Sequence, residues 1–242
     1  MRIQDALTVL LFTTPAIGLA LAGAALAAFK PPGPRTTSAV QHFAAGLAFA
    51  ATSLELLPKE RSQAALPVIV GFALGLAAML GIRQFAGAME KRREGKQYPA
   101  GLVAVTAIDF VIDGLVLGVA FASGEQTGLL LSIALAFEVL FLSLSVGAAL
   151  ADAGAGRSRV LAIPVGLALL MSISAAVGRV LFGSLARFPF AILLGVGIVA
   201  LLYLVTEELL VEAHEVRETP WAVGAFFLGF LLFLLLEMKV EG

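Results

Sequence analysis

The chain has no cysteine among its 242 residues, which excludes disulfide staples and thiolate metal sites. Histidine is almost as scarce. His42 and His214 are the whole supply, too few for a histidine-rich metal centre. Charged residues make up 14%, against roughly a quarter in an ordinary soluble domain. The charges nearly cancel, with 16 basic and 17 acidic side chains. The basic excess of a nucleic-acid binder is missing, so no nucleic-acid partner is expected. Long polar stretches are missing too. The breaks between apolar runs are KPPGPRTT, PKERSQAA, EKRREGKQYP, SGEQT, DAGAGRS, SLARF and EAHEVRET, and none can hold a soluble domain. Neither HExxH nor GxSxG occurs, and no enzyme activity is expected.

What is present is apolar. Hydrophobic residues make up 60% and the mean hydropathy is +1.00. Such an excess needs a lipid solvent. A spanning helix takes roughly 20 apolar residues, and the chain has room for about eight. The expected spans are roughly 5–29, 38–57, 66–88, 100–122, 127–151, 159–182, 189–212 and 220–238. The reading is an all-α integral membrane protein, one eight-helix bundle over residues 1–242 with lipid as its surroundings. The first segment lacks a small-residue cleavage site and reads as a retained helix rather than a signal peptide.

Orientation follows from the loop cations. With both termini outside, the inner loops carry Lys30, Arg35, Lys91, Arg92, Arg93, Lys96, Arg157, Arg159 and Arg217. The outer side carries Arg2, Lys59, Arg61, Arg187 and Lys239. Nine against five favours outside termini, in the cell (inner) membrane. Runs such as AAGLAFAATS and GFALGLAAMLG supply the small residues that let helix backbones approach closely in lipid.

Against this apolar background, acids within spans are conspicuous. Asp109 and Asp113 lie four residues apart in AIDFVIDGLVLG, so they share a helix face. Glu138 lies at mid-depth of the next segment. Glu55 lies toward the outer end of the second, where a solvated helix end is the competing reading. Glu207 and Glu208 lie toward the inner end of the seventh and open a polar run. Ser145 is seven residues after Glu138 and shares its face, whereas Ser143 does not. With no lysine in mid-span, these acids need protons or a recruited cation. A structural alternative for Glu138 is an ion pair with Arg179. Oxygen-rich clusters suit hard or borderline divalent ions such as manganese, iron or magnesium. His42 and His214 read as interfacial, His214 within reach of a leaving ion.

The fourth segment resembles the ZIP (Zrt/Irt-like) metal transporters. Their His-Asn-x-Pro-Glu-Gly-Leu pattern falls on Asp109, Phe110, Ile112 for proline, Asp113, Gly114 and Leu115. The pattern of their next helix falls on Phe137, Glu138, Val139, Leu140, Phe141 and Leu142. The segment HFAAGLAFAATSLELLPKE resembles their second helix. LLYLVTEELLVEAHE resembles their seventh, with Glu208 on its first acid and Val211 in place of proline. The resemblance implies eight helices, outside termini and a metal path through the bundle. It places Glu55 on that path, seven residues from a path position near Ala48. It also implies that a bundle containing the fourth and fifth helices slides against the rest, within a homodimer.

The departures carry information as well. Phe110, Phe141 and Met171 stand where the family keeps ligands of a second metal. The implied site is therefore single and oxygen-rich, held by Asp109, Asp113 and Glu138 with Glu55. Met171 is otherwise a core residue. Loss of the two motif prolines implies straighter fourth and fifth helices. The expected function is transport of a divalent metal (zinc, manganese, iron or similar) by alternating access, the metal being the substrate. Ser145, Met171, Glu207, Glu208, His214 and His42 are the pathway or exit candidates. The alternative is a protein of the same fold that binds a metal without transporting it, as a sensor or partner.

Overall fold

A computed structural model describes residues 2–30, 32–91, 100–214 and 220–241. Among these there is no strand, and eight helices are long and apolar enough to cross a membrane. They are α1 (Gln4–Phe29), α2 (Pro34–Arg61), α3 (Ala65–Phe85), α4 (Ala100–Ser123), α5 (Glu125–Asp152), α6 (Arg157–Phe182), α7 (Arg187–Leu209) and α8 (Pro220–Val240). The chain is thus a multi-pass membrane protein. Arg92, Arg93, Lys96 and Arg217 lie outside the described residues.

Sequence chemistry accounts for the irregularities. α1 turns at Thr13, and the helix resumes as Thr14–Phe29 with proline in its first turn. Pro15 has no N–H for the Leu11 carbonyl; the Thr14 hydroxyl donates to that oxygen instead, at 2.7 Å. α2 starts at Pro34, earlier than expected, because proline suits the first helical position after the extended Gly33. It ends four residues later than expected because Ala51–Leu56 forms a π-helical turn that continues into Leu57–Arg61. α7 contains a second π turn at Leu204–Leu209. These turns carry Glu55 and the Glu207/Glu208 pair. Single π turns re-aim side chains and occur frequently at functional sites. α4 and α5 are unbroken α-helices joined through Gly124 alone, as helices without interior proline should be.

The helices pack as four close pairs: α1 with α5, α4 with α6, α2 with α8, and α3 with α7. Each pair is sealed by glycine. A Cβ on Gly118 would stand 2.7 Å from the Gly178 Cα, and one on Gly71 would stand 2.6 Å from the Ile192 carbonyl. Gly23 and Gly147 do the same for α1 and α5, and Gly46 and Gly229 for α2 and α8. In lipid, where no hydrophobic effect drives helices together, such backbone approach supplies the dispersion contacts. The first two pairs assemble into one group, since α4 also packs on α5 and α1 on α6. The other two pairs form a second group, which meets the first chiefly where α2 touches α5 and α7 touches α4. Outer faces of α3 and α8 leave Leu66, Ile69, Leu76, Phe227, Leu231 and Leu235 exposed, the composition of a lipid-facing surface.

Candidate functional site

The group interface between α4, α5 and α7 holds the acids. Asp113 is 5% exposed and Glu138 1%, one on each of the adjoining helices α4 and α5. Asp109, Asp113, Glu138 and Glu208 lie close enough for their charges to act on one another. The Asp113 and Glu138 carboxyls approach each other, yet no bond of standard geometry joins them. Asp113 Oδ2 and both Glu138 oxygens have no hydrogen-bond partner. Buried carboxylate oxygens without donors are expensive unless a proton or cation serves them.

Beside this pair a cavity of about 240 Å³ opens. Asp109, Thr106, Ser145, Glu207, Glu208 and Tyr203 are among its lining residues. The lining comes from the end of α3, the first half of α4, the second half of α5 and the end of α7. The cavity therefore sits toward the end of the bundle where α3 ends and α4 begins. Ile112 and Phe141 also line it. Asp113 follows Ile112 directly and Glu138 lies one turn from Phe141, so the carboxyl pair sits just beyond the cavity's deep end. Asp109 is half-buried on the cavity wall. Its carboxyl and that of Asp113, sharing one helix face, thus stand on the wall and behind it.

Not every acid comes to this place. Glu207 is held by Arg83 at 2.7 Å, both largely exposed. Glu55 is buried, and Lys59 Nζ reaches back one turn to its Oε2 at 2.7 Å. The same ammonium donates to Thr127 Oγ1 on α5. Thr127 and Glu138 are eleven residues apart on one helix, about 16 Å along its axis. Glu55 therefore belongs to the opposite end of the bundle from the cavity. Lys59, counted with the outer loop, lies in the last turn of the longer α2. The alternative partner for Glu138 is corrected, because Arg179 pairs with Asp5 at 3.5 Å. Met171 is fully buried, its carbonyl against Gly114 of α4. His42 and His214 stack edge to face, ring centroids 5.2 Å apart, on α2 and just past α7. Among the described residues, no three His, Asp or Glu side chains converge closely enough to hold one ion as they stand.

Three polar residues escaped the sequence reading. Thr106 is buried and lines the cavity one turn before Asp109. A threonine in an apolar helix gives no signal beyond its spacing of three from Asp109. Ser143, set aside as off the Glu138 face, is 1% exposed with an unpartnered hydroxyl. Glu60, in PKER, is 2% exposed, both its oxygens lack a partner, and it lies against Gly195 of α7. Only the π turn, which carries α2 onward, could have revealed this.

No protein-family model matches this chain, and no curated protein matches it.

Proposed function

We propose that this chain carries a divalent metal cation across a membrane through the carboxylate site between α4 and α5. The observation that carries the reading is the Asp113–Glu138 pair. Two carboxyls are buried side by side with three oxygens unpartnered, next to a cavity lined by further acids and a serine. Such a pair neutralises itself with protons or with a cation. Oxygen donors from Asp113, Glu138 and, after a side-chain turn, Asp109 suit manganese, iron or zinc in a site that keeps water. The resemblance to ZIP transporters agrees in the order of its helix motifs.

The architecture supports alternating access. α1, α4, α5 and α6 form one group, which the α2–α8 and α3–α7 pairs meet chiefly at α2–α5 and α4–α7. The acids lie at that seam. The cavity opens toward one end, while at the other Lys59 bridges Glu55 on α2 to Thr127 on α5. The bundle is open where α3 ends and α4 begins, and clasped at the opposite end. In the orientation with outside termini, the open end is cytoplasmic.

The test is uptake by reconstituted vesicles with a panel of Zn²⁺, Mn²⁺, Fe²⁺, Co²⁺ and Cd²⁺. Wild type is compared with Asp113→Ala and Glu138→Ala. Transport of at least one ion, abolished in both variants, is the expected result. A second reading, a metal-binding protein of this fold that does not transport, is favoured by the lack of three converged ligands. Retained binding without uptake of any of the five ions selects it.

A further inference from the structure

On the outer side of the α3–α7 pair lies a groove of about 550 Å³. Phe72, Leu76 and Leu80 line it from α3, and Val199 and Leu202 from α7. Leu76 and Leu80 are exposed, as side chains turned toward acyl chains are. The lining turns polar at one end. There Arg83 and Glu207 stand 2.7 Å apart, with Tyr203 beside the guanidinium.

The depth of the groove fits a lipid. Phe72 and Arg83 are eleven residues apart on one helix, about 16 Å along its axis. Half of a bilayer's hydrocarbon core is about 15 Å. The groove thus spans one leaflet, from mid-membrane to the headgroup level. Its charges stand at that level, Arg83 two residues before the end of α3 and Glu207 two before the end of α7.

The charges select a headgroup. An exposed ion pair contributes little stability, and these side chains are 61% and 41% exposed. A ligand carrying both charges can therefore exchange for the pair at small cost. A guanidinium binds phosphate through paired N–H donors, and a carboxylate accepts from a primary ammonium. A phosphate joined to a primary ammonium is the headgroup of an ethanolamine phospholipid. A choline headgroup has no N–H to donate. A glycerol headgroup brings negative charge and no cation for Glu207.

We propose that this groove binds one ethanolamine phospholipid, with its phosphate on Arg83, its ammonium on Glu207 and an acyl chain along Phe72, Leu76 and Leu80. Arg83, Tyr203 and Glu207 also line the cavity beside Asp113 and Glu138, so the headgroup forms part of the wall of the metal route. That consequence rests on the transport reading above; the lipid site does not.

The test uses the full-length protein, freed of lipid in detergent. It is incubated with phospholipids of identical acyl chains bearing ethanolamine, choline or glycerol headgroups, and retained lipid is read by native mass spectrometry. One ethanolamine lipid, held at least about tenfold more tightly than either of the others, is expected from one added charge-assisted hydrogen bond. Arg83→Gln should abolish that preference. Glu207→Gln leaves the guanidinium unopposed and should turn the preference toward the anionic glycerol headgroup. Leu76→Trp, on the apolar stripe away from the charges, should weaken retention of all three lipids. All three positions are exposed, so none of these variants opens the core. Equal retention of the three headgroups by wild type overturns the proposal, as does a wild-type preference for choline or glycerol. An ethanolamine preference that survives both Arg83→Gln and Glu207→Gln overturns it too, whatever the uptake assay shows.

Discussion

At the scale of single residues, the decisive fact is that burial and pairing do not go together in this bundle. Asp113, Glu138 and Glu60 are buried with unpartnered oxygens, whereas Glu55 is buried beside an ammonium. Only the first kind has capacity left for a cation. Asp113→Asn and Glu138→Gln keep shape and remove charge, so each should lower metal uptake by at least about tenfold while leaving the fold intact; vesicle flux and a melting curve check the two halves. Protons and metal compete for the same oxygens, so uptake should fall as the medium is acidified from about pH 8 to about pH 5. A flat profile counts against that competition. Both acids of α4 were legible in the sequence, because two carboxylates one turn apart in an apolar run have few structural uses. Glu60 was not, because the charged triplet Lys59–Arg61 after Leu-Leu-Pro looks the same whether it faces water or a neighbouring helix.

At the scale of elements, glycine decides which helices pair. Gly114 and Gly118 let α4 lie against Met171, Ala175 and Gly178 of α6, and this contact sets the depth and rotation of Asp113. Gly118→Leu should destabilise the bundle by roughly 1–3 kcal/mol through overpacking. Gly81 faces open space and should tolerate alanine; thermal unfolding of the two variants in one detergent checks the contrast. The small-residue runs were visible in the sequence. Which run meets which was not, since every helix has several and the backbone fit is a property of two surfaces. The π turns were equally hidden. Pro58 follows the first, but nothing comparable marks Leu204–Leu209, and both shift the register of acids placed by a uniform 3.6-residue period.

At the scale of the whole molecule, the two groups of four helices make a prediction about motion. The chain has no native cysteine, so paired cysteines report cleanly. Lys59→Cys with Thr127→Cys bridges the groups at the clasped end and should block uptake when oxidised, with recovery on reduction. Asp5→Cys with Arg179→Cys joins α1 to α6 within one group and should leave uptake unchanged once linked. Equal inhibition by both links would argue against relative motion of the groups. The sequence by itself determined that this is a helical membrane protein, how many apolar segments it has and where the buried acids fall along them, because desolvation of backbone and charge acts locally and leaves a mark on composition. The tertiary structure alone decided that Asp113 meets Glu138, that Glu55 is turned to Lys59 at the far end, and that His42 faces His214. Those outcomes depend on which helix faces fit at backbone distance, and that fit is not written in any one segment.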